Sequence, residues 1–207
     1  MAKKESTLKS MTLVLFLITA ISAAALAGVY MLTKEPIQAS KDNKLKETVN
    51  VVVPGADNAE IETKIIPAID GTGDLSFYFV KKDGKTIGTA VQTFSNNGFG
   101  GTILIMVGFD ENGNIIDSDV VEHHETPGLG NKSAKSVSNW NEQFKGKNPQ
   151  NDNFKVNKDG GEIDAITAAT ISSRAYIDAI KRASDTFKNY QNSLVNNNEI
   201  KEEQNNE

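Results

Sequence analysis

From Met11 to Leu32 the chain runs 22 residues without a charge. At about 1.5 Å per helical residue this run reaches about 33 Å, enough to cross a hydrocarbon core of about 30 Å. The pattern predicts one transmembrane helix over residues 11–32, behind a short N-terminus, 1–10, that carries Lys3, Lys4 and Lys9. Basic flanks stay on the cytoplasmic side, so the N-terminus is expected inside and the rest of the chain on the extracytoplasmic face of the cytoplasmic membrane. A cleaved signal peptide is the rival reading. Ala25-Leu26-Ala27 has the small-residue character of a cleavage site, but the apolar run continues through Tyr30, Met31 and Leu32. The small residues Ala20, Ser22, Ala23, Ala24, Ala25, Ala27 and Gly28 suit either a lipid-facing anchor or close packing on a second membrane helix.

Beyond the span the periodicity changes twice. Residues 33–50 mix Lys, Glu and Asp with scattered apolar positions and read as a juxtamembrane helix or stalk, ended by Val51-Val52-Val53-Pro54-Gly55. From Leu75 the pattern becomes that of strands. Leu75 to Val80 and Thr86 to Phe94 flank the turn Lys82-Asp83-Gly84-Lys85, and Thr102 to Phe109 and Ile115 to Val121 flank Asp110-Glu111-Asn112-Gly113-Asn114. After His124 the chain leaves the sheet through Thr126-Pro127-Gly128-Leu129-Gly130, and residues 132–144, with Trp140, predict a short helix or helical turns. A polar segment, 145–161, leads to the last element. There Ile171, Ile177, Ile180, Phe187 and Leu194 recur near helical spacing, while Arg174, Asp178, Lys181, Arg182, Asp185 and Lys188 fill the opposite face. The expected fold is α+β: one N-terminal transmembrane helix, then a domain over residues 51–195 with a curved antiparallel sheet and flanking helices. Residues 196–207 are almost wholly polar and read as a disordered tail.

Composition narrows the chemistry. The 207 residues carry a net charge of −5, and setting aside the three N-terminal lysines leaves the remainder more acidic still, without basic clusters, which argues against nucleic acid as a partner. With no cysteine there is no disulfide, no thiolate metal site and no thiol nucleophile, so redox chemistry requires a borrowed cofactor. His123 and His124 beside Glu122 and Glu125 raise the question of a metal. Neighbours on a strand point to opposite faces, so no metal site and no catalytic side chain is assigned.

The chemistry concentrates in Asp164-Ala165-Ile166-Thr167-Ala168-Ala169-Thr170-Ile171-Ser172-Ser173, where hydroxyls and small residues crowd the start of the long helix. The first N–H groups of a helix lack intrahelical partners and its dipole is positive there, so an anion can be held without a dedicated cation. Ala168 and Ala169 leave the approach open and Thr170 offers a hydroxyl. A plain N-cap at Thr167 or Thr170 accounts for the same residues.

The stretch Thr167-Ala168-Ala169-Thr170-Ile171-Ser172-Ser173 resembles the signature of FMN-binding domains, in which the last Thr of a Ser/Thr-Gly-Ala-Thr tetrad carries FMN through a phosphoester. Gly98-Phe99-Gly100-Gly101 and His124-Glu125-Thr126-Pro127-Gly128-Leu129-Gly130 extend the resemblance, in order and spacing, to the RnfG family of the Rnf electron-transport complexes. A related family in the sodium-pumping NADH:quinone reductase is similar. The resemblance implies covalent FMN on Thr170, with Thr167, Ala168, Ala169, Ile171 and Ser172 around the phosphate. It also implies Glu125, Thr126, Pro127, Gly128, Leu129 and Gly130 bordering the ring, and Gly98, Phe99 and Gly100 as a further wall.

By the same resemblance the chain relays electrons within an ion-translocating ferredoxin:NAD oxidoreductase, without independent catalytic activity. Its partners are the other membrane subunits, lipid, and a flavin transferase that moves FMN from FAD. Ala168 stands where Gly is usual. Its methyl is accommodated unless that backbone requires a positive φ. A membrane-tethered binding module that never receives flavin remains the alternative from another class.

Overall fold

The computed structural model describes residues 8–205. Lys3, Lys4 and the rest of residues 1–7 lie outside the described residues, as do 206 and 207. The chain divides between Lys44 and Leu45 into two compact units. Helix α1, Leu8–Val52, contributes to both, and its apolar part is long and apolar enough to cross a membrane. Where the sequence predicts a span and a separate stalk, the structure has one helical element. Pro36 falls within it, beyond the apolar run.

In the second unit five strands form an antiparallel meander in the order β1-β2-β3-β4-β5: β1 Glu60–Pro67, β2 Asp74–Lys82, β3 Lys85–Gly98, β4 Gly101–Phe109 and β5 Ile115–Glu122. Alternation sorts β2 and β4 onto two buried faces. Leu75, Phe77 and Phe79 on β2, with Ile103, Ile105, Val107 and Phe109 on β4, share one core with Tyr176, Ile177, Ile180 and Phe187 of the C-terminal helix. Tyr78, Val80, Ala90 and Met106 point the other way and pack on Val49, Val52, Val53 and Ala56, at and just past the end of α1. Register shifts at Val80/Lys81, Ser95/Gly98, Leu104/Ile105 and Gly108/Phe109 bend the sheet, as bulges do.

Of the two readings of residues 132–144 the structure has helical turns, the short 3-10 turns Gly130–Ser133 and Trp140–Phe144, rather than a regular helix. Two elements differ from the pattern reading. Strand β1 precedes the first predicted strand, and its exposed or half-exposed side chains give it only a weak alternation. The last helix, α2, spans Thr170–Asn205 and so includes most of the segment expected as a disordered tail. No glycine or proline occurs after Gly161 to stop it.

Candidate functional site

Helix α2 begins where the sequence places a helix start. Ahead of it, Ala169 N–H donates to Ile166 C=O at 2.9 Å, closing a turn with Thr167 and Ala168 at its centre. Ala168 has φ 60, a left-handed conformation in the place where such a turn favours glycine. The backbone here does require a positive φ, so the Ala168 methyl is not freely accommodated and the residue carries strain that glycine would avoid. Ser173 holds the turn to the helix, accepting from Ile166 N–H at 2.9 Å and donating to Ala169 C=O at 3.0 Å. Because Ala169 precedes the helix and has no side-chain acceptor, a hydroxyl N-cap does not account for this start.

The first turn of α2 forms one wall of a cleft of about 310 Å³, lined by Phe99, Glu125, Thr126, Leu129, Gly130, Ala168, Ala169, Thr170, Ile171 and Ser172. Its rim is apolar and exposed: Phe99 is 70 % exposed, Ile171 48 % and Leu129 39 %. The volume lies at the lower end of the range for small-molecule sites, about 300–1,000 Å³. Some of the predicted site residues lie outside this lining. Thr167 is exposed on the turn, and Pro127 and Gly128 shape the loop, where Leu129 N–H donates to Thr126 C=O at 3.1 Å and Gly128 has φ 78. Proline followed by a positive-φ residue is the pairing a tight turn selects. Gly98 closes the β3–β4 hairpin, pairing with Gly101.

Gly100 acts through its backbone. Its N–H donates at 3.1 Å to Oε1 of Glu125, and a methyl in its place would collide with His124 C=O. Glu125 is 5 % exposed and accepts a second bond, on Oε2, from the Ser172 hydroxyl at 2.6 Å. One carboxylate thus joins the hairpin tip, the loop after β5 and the first turn of α2. Gly130 completes the junction: a Cβ there would overlap both Glu125 and Ser172. His123 is used locally, its Nδ1 accepting from Glu125 N–H at 3.1 Å. Among the described residues no group of His, Asp and Glu is arranged to hold a metal ion.

At the Thr170 end lies a cation that pattern reasoning missed. Lys158, in the 3-10 turn Asn157–Asp159, donates to Thr170 Oγ1 at 3.3 Å. Its neighbour Asp159 takes a two-pronged contact from Arg174 Nε and Nη2, 2.8 Å each. The hydrogen bond from Arg174 holds the Asp159 carboxyl below its ordinary value, and Asp159 raises Arg174 in turn. The polar segment 145–161 has no periodicity, and only its positive charge hints at Lys158. Behind the site, Trp140 Nε1 donates to Asp164 C=O at 2.6 Å and packs edge-on against Tyr176, whose hydroxyl, pushed up by burial, donates to Ser118.

Apolar walls, a junction that admits no Cβ at Gly130, and a hydroxyl at a helix start beside an ammonium suit a planar aromatic group linked to a phosphate. Sequence comparison agrees. Residues 98–185 match the FMN-binding domain family, and residues 1–52 match the RnfG N-terminal region. The G component of the ion-translocating oxidoreductase complex of Vibrio cholerae is 34 % identical over 192 residues, covering 89 % of this chain and 92 % of its own. The Haemophilus influenzae protein of the same name is 36 % identical over 171 residues, covering 80 % and 83 %. That of Aliivibrio fischeri is 34 % identical over 199 residues, covering 92 % and 95 %. A cleft built wholly within the matched FMN-binding region, an apolar N-terminal helix within the other matched region, and relatives at 34–36 % identity over most of the chain make this chain a member of the RnfG family of ion-translocating oxidoreductase complexes.

Proposed function

We propose that this chain, a membrane flavoprotein subunit of an ion-translocating oxidoreductase complex, carries FMN as a phosphoester on Thr170. FMN supplies a ring that takes up one or two electrons when bound. The chain's own residues would bind it, orient it and keep water from one side. Phe99, Leu129 and Ile171 offer apolar surface to the ring, and Glu125, with its two donors, keeps those walls in register. The backbone at the start of α2, with Lys158, offers positive potential to the phosphate.

The observation that carries this reading is that Thr170 lines the cleft from the first turn of α2, with its hydroxyl within reach of Lys158. A tether also suits the expected location. On the extracytoplasmic face, where the three N-terminal lysines direct the domain by the positive-inside tendency, lost flavin is not readily replaced. A covalent link keeps its local concentration near the cleft at roughly millimolar order or above. Attachment falls to a separate flavin transferase acting on FAD, and the route of electrons between ferredoxin and NAD belongs to the assembled complex.

The test is fluorescence of the denatured full-length protein after coexpression with a flavin transferase, wild type beside Thr170→Ala. Flavin fluorescence in the wild-type band that disappears in the variant is the expected result. A dark wild-type band, with an unmodified Thr170 peptide by mass spectrometry, would instead favour a binding module without flavin.

A further inference from the structure

We infer that Lys158 is the positioning residue of the acceptor hydroxyl: it presents Thr170 Oγ1 to the incoming flavin phosphate and afterwards faces the charge of the ester. This rests on the Thr170 reading above and extends it to a residue on another element, twelve positions earlier in the chain.

The contact is built into the fold. The turn Asn157–Asp159 is fixed on one side by its own backbone, with Asn157 N–H donating to Ile163 C=O at 2.8 Å and Gly161 N–H to Val156 C=O at 3.1 Å. On the other side Asp159 is clamped by Arg174, one helical turn beyond Thr170. Lys158 therefore sits between two fixed neighbours, while its own side chain is exposed. A lysine ammonium can only donate, so in the contact with Thr170 the hydroxyl oxygen is the acceptor. Lys158 and Arg174 are used differently. Arg174 is occupied by a carboxylate, whereas among the described residues Lys158 enters no ion pair. A lone exposed contact of this kind contributes little to stability, because the entropy lost in ordering a long lysine side chain offsets what one hydrogen bond returns. Its value rises when an anion arrives, since a charge-assisted bond to phosphate is roughly twice as strong as a neutral one.

In the attachment step, Thr170 Oγ forms a bond to the phosphorus in the FMN half of flavin adenine dinucleotide. The bond from that phosphorus to the bridging pyrophosphate oxygen breaks, and AMP leaves with its electron pair. The hydroxyl proton passes to a base of the transferase and on to water, and nothing is oxidised or reduced. Lys158 contributes in two ways. Its charge favours the hydroxyl oxygen as proton loss develops, and it offsets repulsion between that oxygen and the donor's phosphates.

The experiment uses purified, unmodified full-length chain in detergent with flavin transferase, FAD and magnesium, following the initial rate of FMN addition by intact mass and locating it by peptide mass spectrometry. The variants are Lys158→Gln, Lys158→Ala, Lys158→Arg and Thr170→Ala, with thermal melts recorded for each. At subsaturating chain, Lys158→Gln and Lys158→Ala should load at least tenfold more slowly than wild type with unchanged melting temperatures, and Lys158→Arg should recover most of the rate. A purely structural role would not separate Arg from Gln at equal stability. Wild-type rates in both neutral variants overturn the inference, as does an Arg variant no faster than Gln. If Thr170→Ala loads like wild type, the Thr170 assignment fails and the inference falls with it. A blocked Thr170→Ala beside a normally loading Lys158→Gln removes the lysine's role alone.

Discussion

Two residues at the cleft hold conformations or contacts that a single substitution tests. Ala168, at φ 60, bears a left-handed penalty of about 1–2 kcal/mol, partly offset by the greater unfolded-state freedom of glycine, about 0.4–1 kcal/mol. Ala168→Gly should therefore raise stability by about 0.5–1 kcal/mol in a thermal or urea melt. A lower midpoint would mean that the methyl makes a contact worth more than the strain. Glu125→Ala should do the opposite. It strands the buried Ser172 hydroxyl, at about 1–3 kcal/mol, and removes the acceptor of the part-buried Gly100 N–H, while Glu125→Gln keeps one acceptor and should lose less. Equal melts for the two variants would remove Glu125 from its place as the junction. Glu125 is marked as a site residue only by the family resemblance, as a border of the ring, and its partners were not legible, since nothing in a local pattern tells that a carboxylate at 125 will meet a hydroxyl at 172.

At the scale of elements, the turn bearing Lys158 depends on the Asp159–Arg174 pair. Asp159 is depressed from 3.8 chiefly by the Arg174 hydrogen bond, so the pair's contribution is present above that value and is lost as pH falls through the lower, folded-state pKa. A carbon-13 titration of the Asp159 carboxyl should give a midpoint below 3.8 in wild type and one nearer 3.8 in Arg174→Ala. Coincident midpoints would show that the clamp is absent in solution. Strands β2 to β5 were readable from alternation and turn residues because their side chains are sorted between two buried faces. β1 was not, because an exposed edge strand gains little from a strict alternation, and Ile65 is exposed there. The helix over residues 196–205 was not legible for another reason: the segment's polarity gives no buried face to recognise, although it holds no helix-breaking residue.

For the whole molecule, the division between Lys44 and Leu45 predicts where the chain can be cut. A fragment starting at residue 45 keeps Val49 and Val52, both buried against Tyr78, Val80, Ala90 and Met106, and should melt cooperatively in solution. One starting at residue 54 loses both valines and Val53. At about 1.5–3 kcal/mol for each buried side chain, it should unfold or aggregate at room temperature. Similar melts for the two fragments, by circular dichroism, would show that the end of α1 is dispensable. This dependence was not legible in the sequence, where residues 33–50 read as a stalk outside the domain and Val51 to Val53 as its terminus.

The threefold junction at Glu125 has a consequence for holding a cofactor. Its contributors lie at residues 100, 125 and 172, so the binding wall exists only while sheet, loop and helix are all assembled, and it vanishes in the same transition that melts the domain. A guest kept by contact alone would diffuse away whenever the protein briefly opened. One fastened to the chain would survive the excursion and fall back into place as the strands closed again.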